Sequence, residues 1–188
     1  DFFSDMKELG VSYPDVLTRV SEYVNEIIDY IQHLITKGFA YEINGSVYFD
    51  TSNYQKNNFT YGKLVPEQIG NTILLQEGEG KLVSQDTKKS DSDFVLWKKT
   101  KDEEKEPFWE SHWGKGRPGW HIECSVMSHF VFKNINGGYL DVHAGGVDLK
   151  FPHHENEEAQ SSAYLNCKQW TRYWVHTGHL NIKGHKMS

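Results

Sequence analysis

His153, His154, Glu155, Glu157 and Glu158 fall in one short run directly after Pro152. Proline suits the first turn of a helix, and in a helix His153 and Glu157, four apart, share a face. A neutral imidazole and a carboxylate at that spacing can ligate one metal ion from a single rigid element. His154 and Glu158 obey the same rule, so periodicity does not choose between the pairs. An acidic first turn also complements the helix dipole with no metal at all. Cys124 offers sulfur to either pair, and Cys, His and Glu together make a zinc site short of one ligand, although a lone cysteine also buries well as a small hydrophobe. Cys167 has nothing at ligand spacing and reads as structural.

A second group follows a strand-like run, Tyr139-Leu-Asp-Val-His143. It continues Ala144-Gly145-Gly146, and two residues without side chains let backbone approach a phosphate or ribose closely. Asp148 just beyond could accept ribose hydroxyls or cap a turn. Trp120 and His121 follow the Gly/Pro turn of residues 114–119, where tryptophan commonly packs.

These groups need elements to hold them. Val16, Val20, Val24, Ile27, Ile28, Ile31, Leu34 and Ile35 recur at helical spacing and predict a helix from Pro14 to Lys37, with Ser12 and Asp15 as a capping box and Gly38 at C′. Asn44-Gly45 between two apolar runs predicts a β-hairpin with a type I′ turn. Residues 51–107 are punctuated by Gly62, Pro66, Gly70, Gly78 and Gly80. Within them Asp93–Trp97 reads as a buried strand, and Lys98–Glu106 as a solvated charge run. Beyond Phe108, helices are expected over His121–Phe132 and from near His153 to Leu165, and strands at Tyr139–His143 and Tyr173–His176. Strand, helix, strand in so few residues is a βαβ unit, which implies a parallel sheet with ligands at the carboxyl ends of its strands.

Composition excludes several classes. The 188 residues are 37% hydrophobic, 14% aromatic and 24% charged, which is globular usage. Mean hydropathy is -0.66 and no run approaches the roughly 20 apolar residues of a membrane span. Two cysteines cannot make a disulfide framework, so a reducing compartment is expected. The net charge of -6 is carried by residues 1–107, while the remainder is nearly neutral and holds all the histidines but His33. Charge alone therefore predicts no nucleic-acid groove, and the histidine enrichment points to chemistry in the later part. A chain that opens on Asp1 without a secretory segment and stops at Ser188 reads as an internal piece of a longer one.

Gly116-Arg-Pro-Gly-Trp-His-Ile-Glu-Cys-Ser125, Asp148-Leu-Lys-Phe-Pro-His-His-Glu-Asn-Glu157, Gly178-His-Leu180 and Lys186-Met-Ser188 together resemble the cysteinyl-tRNA synthetase family in order and separation. The runs Leu64-Val-Pro-Glu67 and Leu75-Gln-Glu-Gly-Glu-Gly-Lys-Leu82 further resemble its eukaryotic, cytoplasmic branch. The resemblance implies an α/β fold: part of a Rossmann-like class I synthetase catalytic domain, a parallel sheet with flanking helices, carrying a connective insert with the β-hairpin. Residues 1–38 would close the first half of that domain, 39–107 would be the insert, and 108–188 the second half. It implies cysteine, ATP with magnesium, and tRNA(Cys) as partners, no membrane, and zinc as cofactor. Motif to motif, Cys124, His153 and Glu157 fall on zinc ligands. Trp120, His121, His143, Gly145, Gly146 and Asp148 fall about the substrate and ATP, and Lys186, Met187 and Ser188 open the phosphate-holding KMSKS loop. The fourth zinc ligand and the HIGH signature of the family lie outside this chain. His176-Thr-Gly-His179 matches H-x-G-H only as a string, since it stands just before Lys-Met-Ser. Ala144 stands where the family usually has glycine, and Glu158 where it has an apolar residue. Two other readings of the motifs are a ligase that activates cysteine and passes it to an amino-sugar, and a non-catalytic zinc or RNA-binding module.

Overall fold

The computed structural model describes residues 2–77 and 88–186. Gly78, Gly80 and Leu82 of the eukaryotic-like run, and Met187 and Ser188 of the terminal motif, lie outside the described residues.

The predicted long helix is shorter than its pattern. After a short helix α1 (Phe2–Glu8), helix α2 runs Val24–Thr36 rather than from Pro14. The Ser12–Asp15 box caps nothing, because a single 3-10 turn at Val20–Glu22 redirects the chain and Tyr23 becomes the N-cap. Val16 and Leu17 are left exposed, so the apolar stripe meets the core only from Val20, half-buried against it, and is buried from Val24 onward. Ile27, Ile31 and Leu34 have no exposed surface. Burying each contributes about 1.5–3 kcal/mol. Gly38 ends the element at φ 80°.

The hairpin forms as its turn residues require. Strands β1 (Ala40–Ile43) and β2 (Ser46–Phe49) pair antiparallel, with Asn44 at φ 53° and Gly45 at φ 87°. Asp50 caps helix α3 (Thr51–Lys56) by accepting from the Asn53 amide at 2.7 Å. Helix α4 spans Thr72–Glu77. Strand β3 (Phe94–Lys99), the predicted buried strand, pairs with β2 and then with β4 (Gly116–Pro118), giving the antiparallel order β1-β2-β3-β4. Residues 116–118, expected to turn, are extended because Trp97 lies against Gly116, where a Cβ would overlap its indole nitrogen.

Helix α5 (Trp120–Asn136) outruns its prediction and stops at Gly137, φ 78°. Strand β5 (Leu140–Gly146) and strand β6 (Thr171–Thr177) are parallel, joined through helix α6 (Glu155–Leu165), as the βαβ reading requires. A kinked turn over Lys150–His154, extended at Phe151, leads into α6. The short pair β7 (Asn181–Ile182) and β8 (His185–Lys186) ends the described chain. One main core joins α2, the antiparallel sheet, α5 and α6 through Phe49, Leu96, Trp97, Ile122, Val126, Ala159 and Ala163. No helix among the described residues is long and apolar enough to cross a membrane.

Candidate metal centre and substrate pocket

Helix α6 is buried on nearly every side although its sequence is polar. Glu155, Asn156, Glu157, Glu158, Gln160, Ser161 and Ser162 are all buried. Such a helix depends on the partners that its polar groups find. Gln160 donates to the carbonyl of His121 at 3.1 Å and to Ser125 Oγ at 3.2 Å, tying α6 to α5. That contact sets Cys124, on the first turns of α5, opposite His153 and Glu157.

Donor atoms of Cys124, His153 and Glu157 all lie within 4.8 Å of one another. Of the pairs left open by periodicity, His153 and Glu157 share this centre, and Glu158 faces away to ion-pair with Lys63 at 2.7 Å. A second set, His143, His154 and Glu157, converges equally closely, so Glu157 stands between the two. His143 Nε2 lies 2.8 Å from Glu157 Oε2. His153 Nε2 lies 3.0 Å from Oε1 but is not aligned for a hydrogen bond, and Oε1 is a buried oxygen with no hydrogen-bond partner. A soft sulfur, an imidazole and an orphaned carboxylate oxygen suit zinc.

Burial shapes the protonation of this centre. It works to raise the Glu157 carboxyl, but the imidazoles of His143 and His153 outweigh it and hold the group at about 2. Burial, with the neighbouring His153 ring adding, lowers His121 to about 3, and burial lowers His154 to about 4 against the pull of Glu157. Both rings are neutral at physiological pH. Burial, reinforced by Glu157 and Glu123, pushes the Cys124 thiol well up. A metal binding there must displace its proton.

Trp120 opens α5 and stacks on His153 with ring centroids 4.3 Å apart, remaining 42% exposed. His121 is buried, its Nδ1 3.0 Å from Nδ1 of His153. Gly145 is needed for the close approach of His154, since a Cβ would come within 2.6 Å of its Cε1. At Gly146 a Cβ would meet the carboxylate of Asp148. Asp148 is half exposed, 3.4 Å from Lys186 Nζ and 4.0 Å from His179 Nδ1. The structure thus gathers Trp120, His121, Cys124, His143, His153 and Glu157 into one centre and sets Asp148 and Lys186 together at the strand ends.

The sequence places His176 at the carboxyl end of a strand, where ligands sit, but gives it no partner, and it does not single out Trp174. His176 Nε2 lies 2.8 Å from His154 Nδ1, so the H-x-G-H string belongs to the histidine cluster through its first member. Trp174 stacks on His143 at 4.7 Å. The one signal for Trp174 was the crowding of histidine and tryptophan after Phe108.

The family model described as "tRNA synthetases class I (C) catalytic domain" matches residues 1–188. The chain is similar over its whole length to the cytoplasmic cysteine–tRNA ligases of Dictyostelium discoideum and Drosophila melanogaster, 55% identical to each, and of Homo sapiens, 53% identical. It spans 28% of the first of these proteins and 25% of the other two, about a quarter of the length of the curated relatives it matches.

Proposed function

The chain belongs to the class I (C) tRNA synthetase catalytic-domain family, and from that premise we propose that it is the metal-bearing portion of a cytoplasmic cysteine–tRNA ligase. The observation that carries the reading is the convergence of Cys124, His153 and Glu157 beside the open face of Trp120. These three residues would hold zinc together with a cysteine from another part of the longer protein. The metal held there would supply a soft Lewis acid that favours a substrate sulfur over the harder, less acidic hydroxyl of serine. A site built around one such contact can discriminate by ~10⁴ or more, which removes the need for editing.

The chain's own groups do the rest. Trp120 walls the pocket for the amino acid and stacks on His153, fixing that ring. His143 orients Glu157, and the neutral His121 backs His153 from the core side. Gly145, Gly146 and Asp148 border the nucleotide, and Lys186 with Met187 and Ser188 begins the loop that balances phosphate charge. The reaction is attack of the cysteine carboxylate on the α-phosphorus of magnesium-bound ATP with loss of pyrophosphate. The 3′-terminal ribose hydroxyl of tRNA(Cys) then takes the cysteinyl group and AMP departs. Residues 1–38 and 108–188 serve as the two catalytic parts and 39–107 as the connective insert.

Cysteine-dependent exchange of labelled pyrophosphate into ATP by the full-length protein, with stoichiometric zinc and charging of tRNA(Cys), is the expected result. Exchange supported by another amino acid, or cysteine transfer to an amino-sugar and not to tRNA, would overturn the reading.

A further inference from the structure

Helix α6 presents its metal-facing side through Glu157, with His153 on the turn that leads into it. At about 100° per residue, Glu155 lies nearly opposite Glu157 on the helix, with Asn156 and Glu158 flanking. All three reach one loop. The Glu155 carboxylate, fully buried, accepts from the Gly62 amide at 2.7 Å and from the Leu64 amide at 2.8 Å. Tyr61 donates its hydroxyl to Asn156 Oδ1 at 2.6 Å. Lys63 ion-pairs with Glu158 at 2.7 Å and donates to the Lys168 carbonyl at 2.8 Å. Lys63 thereby gives the buried Glu158 a partner.

The loop reaches the metal centre by a second route. The Tyr61 ring lies over Phe94 at 6.3 Å, Phe94 meets His121 edge-on at 5.8 Å, and His121 contacts His153. The loop's own shape is constrained by Gly62, at φ 88°, where a Cβ would run into Ile69. Four consecutive residues of one loop thus hold Glu155, Asn156 and Glu158 of the helix, on the side away from the donor atoms.

We propose that loop Tyr61–Leu64 sets the position of the metal-bearing helix, which makes Glu155 and Tyr61 positioning residues for capture of the substrate thiolate. The inference rests on the metal reading given above. Partners behind metal ligands commonly govern metal affinity or activity by 10–100-fold, and here such partners come from a loop of the insert region. Glu155→Gln is the direct test. An amide can accept through only one oxygen, so its NH2 would oppose the Gly62 or the Leu64 amide.

In the full-length protein, E155Q and the milder Tyr61→Phe are compared with the parent and with Tyr41→Phe, a change elsewhere in the insert region. Zinc affinity is measured by competition with a chromogenic chelator, cobalt(II) absorption reports ligand geometry, and KM is measured separately for cysteine and ATP. E155Q should weaken zinc and raise KM for cysteine by about 10-fold or more, alter the cobalt spectrum, and leave KM for ATP within about twofold. Y61F should move the same quantities less, and Y41F none of them. Should E155Q fail to fold, Y61F decides by the same readouts. Parent protein that binds zinc, with variants that lose only thermal stability, overturns the positioning role alone. Parent protein that binds no zinc overturns the metal reading and this inference with it.

Discussion

Cys124 and Glu157 reach their functional states by opposite routes. Two imidazoles already hold Glu157 ionised, whereas burial keeps the Cys124 thiol protonated until a cation displaces the proton. Removing the sulfur should therefore cost metal and substrate recognition together. Cys124→Ser in the full-length protein is expected to leave zinc well below stoichiometric and to raise KM for cysteine severalfold, measured by metal analysis and pyrophosphate exchange; stoichiometric zinc with unchanged selectivity would make Cys124 a packing residue. This residue type and the four-residue spacing of His153 and Glu157 were legible in the sequence. The contacts His143–Glu157 and His154–His176 were not, because they depend on how β5, β6 and α6 meet, which no local periodicity encodes.

Elements were legible where a local rule specified them, and their ends were not where tertiary contacts set them. The hairpin at Asn44-Gly45 and the βαβ unit follow their local rules. Helix α2 does not keep to its own pattern, since Val16 and Val20 continue the stripe while the chain turns away before Val24. Helix α6 carries no stripe at all, because its faces are read by polar partners, and the same holds for the tie between Asp93 and the hairpin sheet. Asp93 is buried and accepts from Thr51 N at 2.9 Å, Thr51 Oγ1 at 2.8 Å, Tyr41 OH at 2.7 Å and Ser90 N at 3.2 Å. Asp93→Ala strands these donors and should cost on the order of 3 kcal/mol, seen as faster hydrogen exchange at the amides of β1 to β3 with α6 little changed. Tyr30 of α2 gives a prediction in pH. Burial pushes its phenol well above the usual value of about 10, so above that pH the unfolded chain releases a proton that the folded chain keeps. Its contribution is intact below pH ~10 and is lost as pH rises past it. Tm measured between about pH 8.5 and 11 should fall, and Tyr30→Phe should flatten that fall.

At the scale of the molecule, the parallel pair β5–β6 turns His143 and His176 toward Glu157 and His154, while Val142, Tyr173 and Val175 are exposed. Parallel sheets are ordinarily covered on both faces. Phe2, Leu9, Val11, Tyr13 and Val16 form a further exposed apolar run. The curated relatives are about four times as long as this chain, consistent with cover for both surfaces in a longer protein. Residues 1–188 expressed alone should therefore bind the dye ANS more strongly, per mole, than the full-length protein. They should also lack exchange activity, because the proposed function needs a second ATP signature that the His176–His179 string does not supply. His176 is turned to His154 and His179 to Asp148, so neither is free to take that part. Cysteine-dependent exchange by the 188-residue chain at a rate within about tenfold of the full-length protein, a loss of under ~1.4 kcal/mol in transition-state stabilisation, would show that the catalytic parts have been assigned wrongly. Exchange at least a thousandfold slower, or about 4 kcal/mol, is the outcome that the proposed two-part site requires.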